Sequence, residues 1–385
     1  YARARSIMNN FLSTKKILFV TGTRADFGKI EPLATAARNA GCRVEFFITG
    51  MHMLEQYGLT KIEVTRLEGV DAFEFLNQRP GDPQDAVLAK TIGGFSDFVV
   101  GRRPDLAVIH GDRVESIACA LVCATNYVRC AHIEGGEISG TIDEVFRHCN
   151  TKLATCHFVS SESARRRVLK LGESADSVFT IGSPEIDAHA KPSGVSIEEV
   201  RRHYEIPFSD YGIAAFHSVT SEIDTIGEQA RSLFGALEKS ARNFVVILPN
   251  NDPGSGKIFD ALDALPGERF RLIPSMRFNY FSELLKNSKA MVGNSSVGVR
   301  EAPFLGLPSL DIGTRQTRRS SSSTISYCSA FDSAAIEEFL ERNWGRRMPS
   351  HTAFGMGRAS ERFIDVLKTP EFWELPLQKS FRDNA

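Results

Sequence analysis

At 385 residues the chain is too long for one ordinary domain and long enough for two, each burying its own core. Lys and Arg number 46 against 47 Asp and Glu, and the formal charge of -1 argues against a general nucleic-acid binder or an acidic tail protein. With 42% hydrophobic and 24% charged residues the chain is not mainly disordered, and its best apolar stretch, 117–128, is short and broken by Thr125 and Asn126, so no membrane span is expected.

The 7 cysteines are odd in number and form no CxxC pair, which fits a reducing, cytoplasmic setting. Cys119 and Cys123 sit in an apolar run and read as small hydrophobes. Residues 1–14 lack the apolar centre of a signal peptide and read as a disordered leader, with Met8 as a native start.

From residue 15 onward, short β-branched and aromatic runs alternate with helical patterns, the signature of parallel α/β architecture. In the first half, strands are expected at 16–20, 43–49, 105–110, 129–133, 155–160 and 177–181, with helices near 28–40, 84–101, 113–126, 142–153 and 161–171. Turn formers at 191–194 and 207–212 interrupt the pattern and mark a domain boundary. The alternation resumes with strands at 212–217, 244–248, 271–273, 290–292 and 309–312 and helices near 224–241, 278–287 and 297–306. Two Rossmann-like domains, 15–190 and 191–368, are therefore expected to face a central cleft, with ligands at the carboxyl ends of their strands.

The first strand runs into Thr21-Gly-Thr-Arg-Ala-Asp-Phe-Gly28, which lacks the GxGxxG spacing of dinucleotide sites. Arg24 and a helix N-terminus suit an anion, whereas glycines in a turn and Asp26 as a helix cap are the plainer alternative. Later strands end in Asp112 with Arg113 and in Glu134-Gly-Gly-Glu137, carboxylates that suit general acid and base work, or that cap the turns they begin. Asp143 with Arg147, and Glu144 with His148, stand four residues apart on one helix, the spacing of surface ion pairs. In the second half, His217 and Asn250 follow strands. Gly293-Asn-Ser295-Ser296 precedes a helix bearing Glu301, an arrangement able to hold a diphosphate at the serines and ribose hydroxyls at the carboxylate. Arg315 follows the next strand.

These segments, together with Gly50-Met-His52, His110-Gly-Asp-Arg113, His132-Ile-Glu-Gly-Gly-Glu137, Val299-Arg-Glu301 and Gly313-Thr-Arg-Gln316, resemble the hydrolysing UDP-N-acetylglucosamine 2-epimerases. The family comprises the bacterial enzymes that open sialic acid synthesis and the epimerase half of the bifunctional animal enzyme. The resemblance covers about residues 15 to 382. It implies the glycosyltransferase-B architecture, with 369–385 returning to the first domain. It also implies conversion of UDP-N-acetylglucosamine and water to N-acetylmannosamine and UDP, by elimination to 2-acetamidoglucal and then hydration.

On this resemblance Asp112, Glu134, Asp143 and His217 are catalytic. Arg24, Arg113, Asn250, Ser295, Ser296, Glu301 and Arg315 bind UDP, and His52 and Arg147 are candidate substrate contacts. No metal and no cofactor are expected. The partner is a UDP-sugar, in a homodimer or homotetramer, with no nucleic acid or membrane involved. UDP-2,4-diacetamido-trideoxy sugars and a non-hydrolysing epimerisation are the alternatives. The Arg318-Arg-Ser-Ser-Ser-Ser323 run departs from the family pattern beside the nucleotide.

Overall fold

The computed structural model describes residues 11–139, 142–250, 252–380 and 382. Two parallel sheets, each flanked by helices, form tandem Rossmann-like units of the kind found in glycosyltransferase-B enzymes. In the first, β1 (Lys16–Thr21), β2 (Arg43–Ile48), β3 (Asp71–Glu74), β4 (Leu106–His110), β5 (Cys130–Ile133), β6 (Cys156–Val159) and β7 (Val178–Thr180) lie in the order β3-β2-β1-β4-β5-β6-β7. In the second, β8 (Gly212–Ala215), β9 (Phe244–Ile247), β10 (Phe270–Ile273), β11 (Met291–Gly293), β12 (Ser309–Ile312) and β13 (Ile325–Cys328) follow the order β10-β9-β8-β11-β12-β13. All these pairings are parallel, so the chain crosses over between neighbours, mostly through helices.

The expected strands are present within a few residues. Two were not expected from the sequence. β3 carries four exposed residues at the sheet edge and β13 buries only Ile325 fully, so neither shows the apolar run that betrays an inner parallel strand. Phe73 is nevertheless anchored, stacking on Phe47 with centroids 5.9 Å apart.

Helices cover both faces of each sheet. On one face of the first sheet, Phe19, Phe46 and Phe158 join Ile30 and Leu33 of the helix Arg24–Asn39 in one core; on the other, Leu18, Phe47 and Ile109 pack with Phe95 and Cys119. The second sheet is covered likewise, Val246 and Phe244 toward Leu233 and Phe234, and Val245 and Met291 toward Leu284 and Leu285. Each such side chain contributes about 1.5–3 kcal/mol on burial.

The chain divides into two compact units, one of Tyr1–Glu137, Asp143–Asp187 and Phe354–Ala385, the other of Ile138–Ile142 and Ala188–Ala353. Residues 354–368, assigned to the second domain by sequence, thus cluster with the first. The cause is the helix Ala359–Leu367, whose Phe363, Ile364 and Leu367 enter the first core beside Phe158. Beyond it, the Arg129 guanidinium donates to the Leu375 and Trp373 carbonyls at 2.9 and 2.7 Å, and the Lys379 ammonium to the Thr151 and Ala154 carbonyls at 3.0 and 2.9 Å. Residues 1–10 of the expected leader lie outside the described residues. Its last part is ordered, contrary to expectation, because Leu12 is buried in the first core and Phe11 packs edge-on against Trp373.

Candidate active site

In both units the strand order reverses beside the first strand, between β1 and β4 and between β8 and β11. At such a switch point adjacent loops leave in opposite directions and open a crevice at the carboxyl ends of the strands. The polar residues singled out by sequence follow those ends.

After β1 the helix begins at Arg24, four residues earlier than the pattern suggested. Thr23 accepts from the Asp26 N–H at 3.1 Å, and Asp26 accepts from the Gly22 and Thr23 N–H groups at 3.0 and 3.1 Å, so a capping box starts the helix. Thr23 is thus the helix cap, and Asp26, the cap of the plainer reading, is its partner three residues on in the capping box. Arg24 lies in the first helical turn, where its guanidinium makes a two-pronged pair with Glu63, its Nε donating at 2.8 Å. Sequence gave no pointer to Glu63, 39 residues away. His52 is fully buried, with Nε2 2.9 Å from the Thr21 hydroxyl and Nδ1 2.8 Å from that of Thr60, and burial holds its imidazole down at about 4. Both nitrogens are therefore occupied in tying loops together rather than offered to a substrate.

β4 and β5 are neighbours and end in the two carboxylates expected there. Asp112 accepts a close hydrogen bond from Arg147 Nη2, while Arg147 Nη1 donates to the Glu137 carbonyl at 3.1 Å. Arg147 is 3% exposed and is thereby an internal brace, a role the surface-pair reading of its helix does not supply. Asp143, half-buried, occupies the first turn of that helix, Ile142–Leu153, one turn ahead of Arg147, and Glu144 and His148 approach to 3.4 Å as the spacing predicted. Arg113 Nε donates to Glu115 at 3.1 Å.

Glu134 lies at the centre of a cluster. Its backbone takes the left-handed conformation at φ 65°, which costs a non-glycine residue about 1–3 kcal/mol and turns the side chain inward. Oε1 is 2.5 Å from the Ser183 hydroxyl, while Oε2 is 3.2 Å from His110 Nε2 and 3.4 Å from Lys29 Nζ. Glu185, fully buried, lies 2.6 Å from the same hydroxyl and 3.5 Å from the same ammonium. Lys29, His110, Ser183 and Glu185 were not singled out by sequence. His110 ends β4 within a segment already flagged, but Ser183-Pro-Glu185 reads as an ordinary turn into a helix. Nearby His132 is structural, its Nε2 2.7 Å from the Gly111 carbonyl, and burial lowers it to about 3.

In the second unit Asn294 closes the switch point. Its amide accepts from the His217 N–H at 2.7 Å and donates to the His217 carbonyl at 2.8 Å, so the loops after β8 and β11 move as one. Gly293 is required beneath it, at φ 131°, because a Cβ would come within 2.0 Å of the Ala215 carbonyl oxygen. His217 accepts at Nδ1 from the Asn250 N–H at 3.4 Å, and burial, with the Arg315 guanidinium next, holds the imidazole neutral down to about 3. The Asn250 side chain donates to Asp252 at 2.7 Å, and Arg315 and Gln316 donate to the Asn294 carbonyl at 3.3 and 2.9 Å.

The expected helix at 297–306 is instead a 3-10 turn, Ser296–Gly298, followed by a short helix, Glu301–Phe304. Arg300 leaves the helical conformation, and Pro303 has no N–H to carry the earlier turn onward. Ser295 caps the 3-10 turn. Glu301 therefore opens the second helix rather than lying a turn and a half into the first. It is buried, with Oε1 3.8 Å from His189 Nε2 and no hydrogen bond to Oε2 among the described residues. Asp311 on β12 was also missed. Both its oxygens are buried without a hydrogen-bond partner there, and burial pushes the carboxyl up to about 7 against the opposing pull of Arg319 and Arg315. Among the described residues no group of three or more His, Cys, Asp and Glu is placed to hold a metal ion.

Residues 34–368 match the family described as UDP-N-acetylglucosamine 2-epimerase. The chain belongs to that family. It is 41% identical over 374 residues to the UDP-N-acetylglucosamine 2-epimerase of Neisseria meningitidis serogroup B, covering 96% of this chain and 99% of that protein. It is 30% identical over 365 residues to the UDP-N,N'-diacetylbacillosamine 2-epimerase (hydrolyzing) of Legionella pneumophila, covering 92% and 96%. The crystal structure of Methanocaldococcus jannaschii UDP-GlcNAc 2-epimerase in complex with UDP-GlcNAc and UDP has the same fold, with a TM-score of 0.77 over 91% of this chain and 99% of that one at 18% identity. No helix among the described residues is long and apolar enough to cross a membrane.

Proposed function

We propose that this family member is a hydrolysing 2-epimerase that converts UDP-N-acetylglucosamine and water to N-acetylmannosamine and UDP, without a metal or cofactor. It would act in the cytoplasm as a homodimer or homotetramer and supply sialic acid synthesis. The observation that carries the reading is Glu134, a buried carboxylate in strained backbone beside Ser183, His110 and Lys29, one strand from the Asp112–Arg147 pair. A purely structural turn has no need of that concentration of ionisable groups.

In this reading a first-unit carboxylate removes the C2 proton while the C1–O bond breaks and UDP departs, leaving 2-acetamidoglucal. Water then adds its hydroxyl at C1, and a proton is delivered to the opposite face of C2. Asp112, Glu134 and Asp143 share these proton transfers, each held by an environment that sets its charge. Neutral His217 takes part as a hydrogen-bonding group. UDP is assigned to Arg24, Arg113, Asn250, Ser295, Ser296, Glu301 and Arg315, whose cations offset the charge of the departing diphosphate. The Oε2 of Glu301, without a hydrogen-bond partner among the described residues, is the atom offered to the ribose.

The Legionella relative, similar over nearly its whole length, favours a second reading in which the sugar is a UDP-2,4-diacetamido-trideoxy hexose. Supplying each UDP-sugar to purified protein and following UDP and the sugar by proton NMR separates the readings. Free UDP formed one-for-one with free N-acetylmannosamine supports the first. A UDP-linked epimer means non-hydrolysing chemistry, and turnover of the diacetamido sugar alone moves the assignment to the second substrate.

A further inference from the structure

A chain of buried polar side chains ends at Glu301, and all of its members belong to the second unit. His189, near the end of the helix Pro184–Ala190, has a fully buried imidazole between partners on two other elements. Nδ1 is 2.9 Å from the hydroxyl of Ser282, on the helix Phe278–Asn287, and Nε2 faces Glu301 Oε1 at 3.8 Å. The Phe278 ring packs on the imidazole with centroids 5.5 Å apart and restrains its plane.

The hydrogen positions follow from what each partner can do. Ser282 is fully buried, and its hydroxyl has no other hydrogen-bond partner among the described residues, so its O–H donates to Nδ1. A neutral imidazole that accepts at Nδ1 carries its hydrogen on Nε2. That N–H faces the Glu301 carboxylate, which only accepts. The other tautomer would set a lone pair against the carboxylate and leave the serine hydrogen without an acceptor.

The chain is unfinished at its far end. At 3.8 Å the Nε2–H is too distant from Oε1 for a hydrogen bond, and neither His189 Nε2 nor Glu301 Oε2, both buried, has a hydrogen-bond partner among the described residues. A pair whose task was to fasten two helices would close to hydrogen-bond distance, since each buried polar atom left unmatched is costly. The arrangement instead attracts one oxygen of the carboxylate and leaves the other unclaimed, where the exclusion of water strengthens the attraction. A glutamate held in this way needs little further ordering when a ligand arrives.

Resting on the assignment of the UDP ribose to Glu301 above, we infer that His189, oriented by Ser282, is a positioning residue that holds the Glu301 carboxylate so that Oε2 is presented to two adjacent ribose hydroxyls. His189 acts through Glu301. Its removal weakens the ribose contact and leaves the contacts to the diphosphate as they are.

Calorimetric titration of UDP and of 2′,3′-dideoxy-UDP, which lacks both hydroxyls, reads that contact by itself. The parent is expected to bind UDP about 10-fold or more tightly than the dideoxy nucleotide. His189→Leu is expected to weaken UDP about 3- to 10-fold with the dideoxy nucleotide within about twofold, and His189→Gln, which returns an N–H near the place of Nε2, to recover most of the difference. Ser282→Ala should narrow the discrimination about 2- to 3-fold, because the freed imidazole can carry its hydrogen on Nδ1. Undiminished discrimination in folded His189→Leu, or equal weakening of both nucleotides, would make His189 merely structural and overturn the inference; should that variant not fold, an unchanged ratio in Ser282→Ala does the same. A parent that binds both nucleotides alike overturns the ribose assignment and the inference with it. A parent that discriminates but releases no UDP from any UDP-N-acetylhexosamine overturns the epimerase reading alone, and the titrations still decide the role of His189.

Discussion

The two switch points share one topology and differ in chemistry. Between β1 and β4, and on to β7, the first unit gathers Asp112, Glu134 and Glu185 and holds them with Arg147, Lys29, His110 and Ser183. Between β8 and β11 the second unit gathers Asn294, His217, Asn250, Ser295 and Arg315, groups that hydrogen-bond or carry positive charge. A parallel sheet fixes where loops end, but the residue types on those loops decide whether a crevice can move protons or bind an anion. On this comparison we propose that the first unit's carboxylates carry the proton transfers and that the second supplies most of the contacts to the leaving group, with Arg24 and Arg113 added from the first and His217 lent to the chemistry from the second.

The sharpest way to break that division is to neutralise the first-unit carboxylates. Asp112→Asn, Glu134→Gln and Asp143→Asn are each expected to lower kcat by about 10² to 10⁴ with UDP affinity nearly unchanged, read by steady-state kinetics and calorimetry. A variant with near wild-type turnover removes its residue from the mechanism.

The converse change belongs to the second unit. Glu301→Ala should weaken UDP binding by about 1.5–3 kcal/mol and raise KM more than it lowers kcat. Unaltered binding would return Glu301, with its neighbour His189, to a purely structural role.

Both units contain histidines held neutral by burial, His132 and His217, each at about 3. The unfolded imidazole protonates below about 6.5 while the folded one does not, so stability is full above that pH and falls as pH drops toward 3. Each contributes at most about 1.4 kcal/mol per pH unit in that window. Thermal melts of His217→Asn between pH 7 and 5 should show a shallower loss than the parent; identical slopes would mean that the imidazole is hydrated and free to charge.

Asp311 distinguishes the second unit with the opposite sign. Its carboxyl is held up at about 7, so the folded state keeps a proton that the unfolded chain gives up near 4, and stability declines as pH rises between those values. Asp311→Asn should flatten that decline by less than about 1.4 kcal/mol per pH unit and leave turnover intact. Melts at pH 5 and 8 provide the check, and equal pH dependence in parent and variant would show that the carboxyl is ionised throughout.

Much of this arrangement was legible in the sequence because inner parallel strands are short apolar runs and their polar ends stand out. Asp112, Glu134, His217 and the Gly293-Asn-Ser295-Ser296 turn are visible for that reason, and the family motifs add a role for Asp143. What escaped depends on distance along the chain or on context. Nothing near Arg24 reveals Glu63, and nothing near Glu134 reveals Ser183 and Glu185, 49 residues on from it in the case of the serine. The break between Ser296 and Glu301 was hidden because Gly298 and Pro303 are both tolerated near helix ends and neither alone shows that Arg300 leaves the helical conformation. Asp311 was hidden because a single carboxylate inside the short buried strand Ser309–Ile312 forms no pattern with its neighbours.

Turnover of UDP-N-acetylglucosamine in D2O, followed by proton NMR, tests the central claim most directly. Elimination followed by hydration predicts free N-acetylmannosamine with one deuterium at C2, released together with an equal amount of UDP. N-acetylmannosamine that keeps protium at C2, or an epimer still joined to UDP, would contradict it.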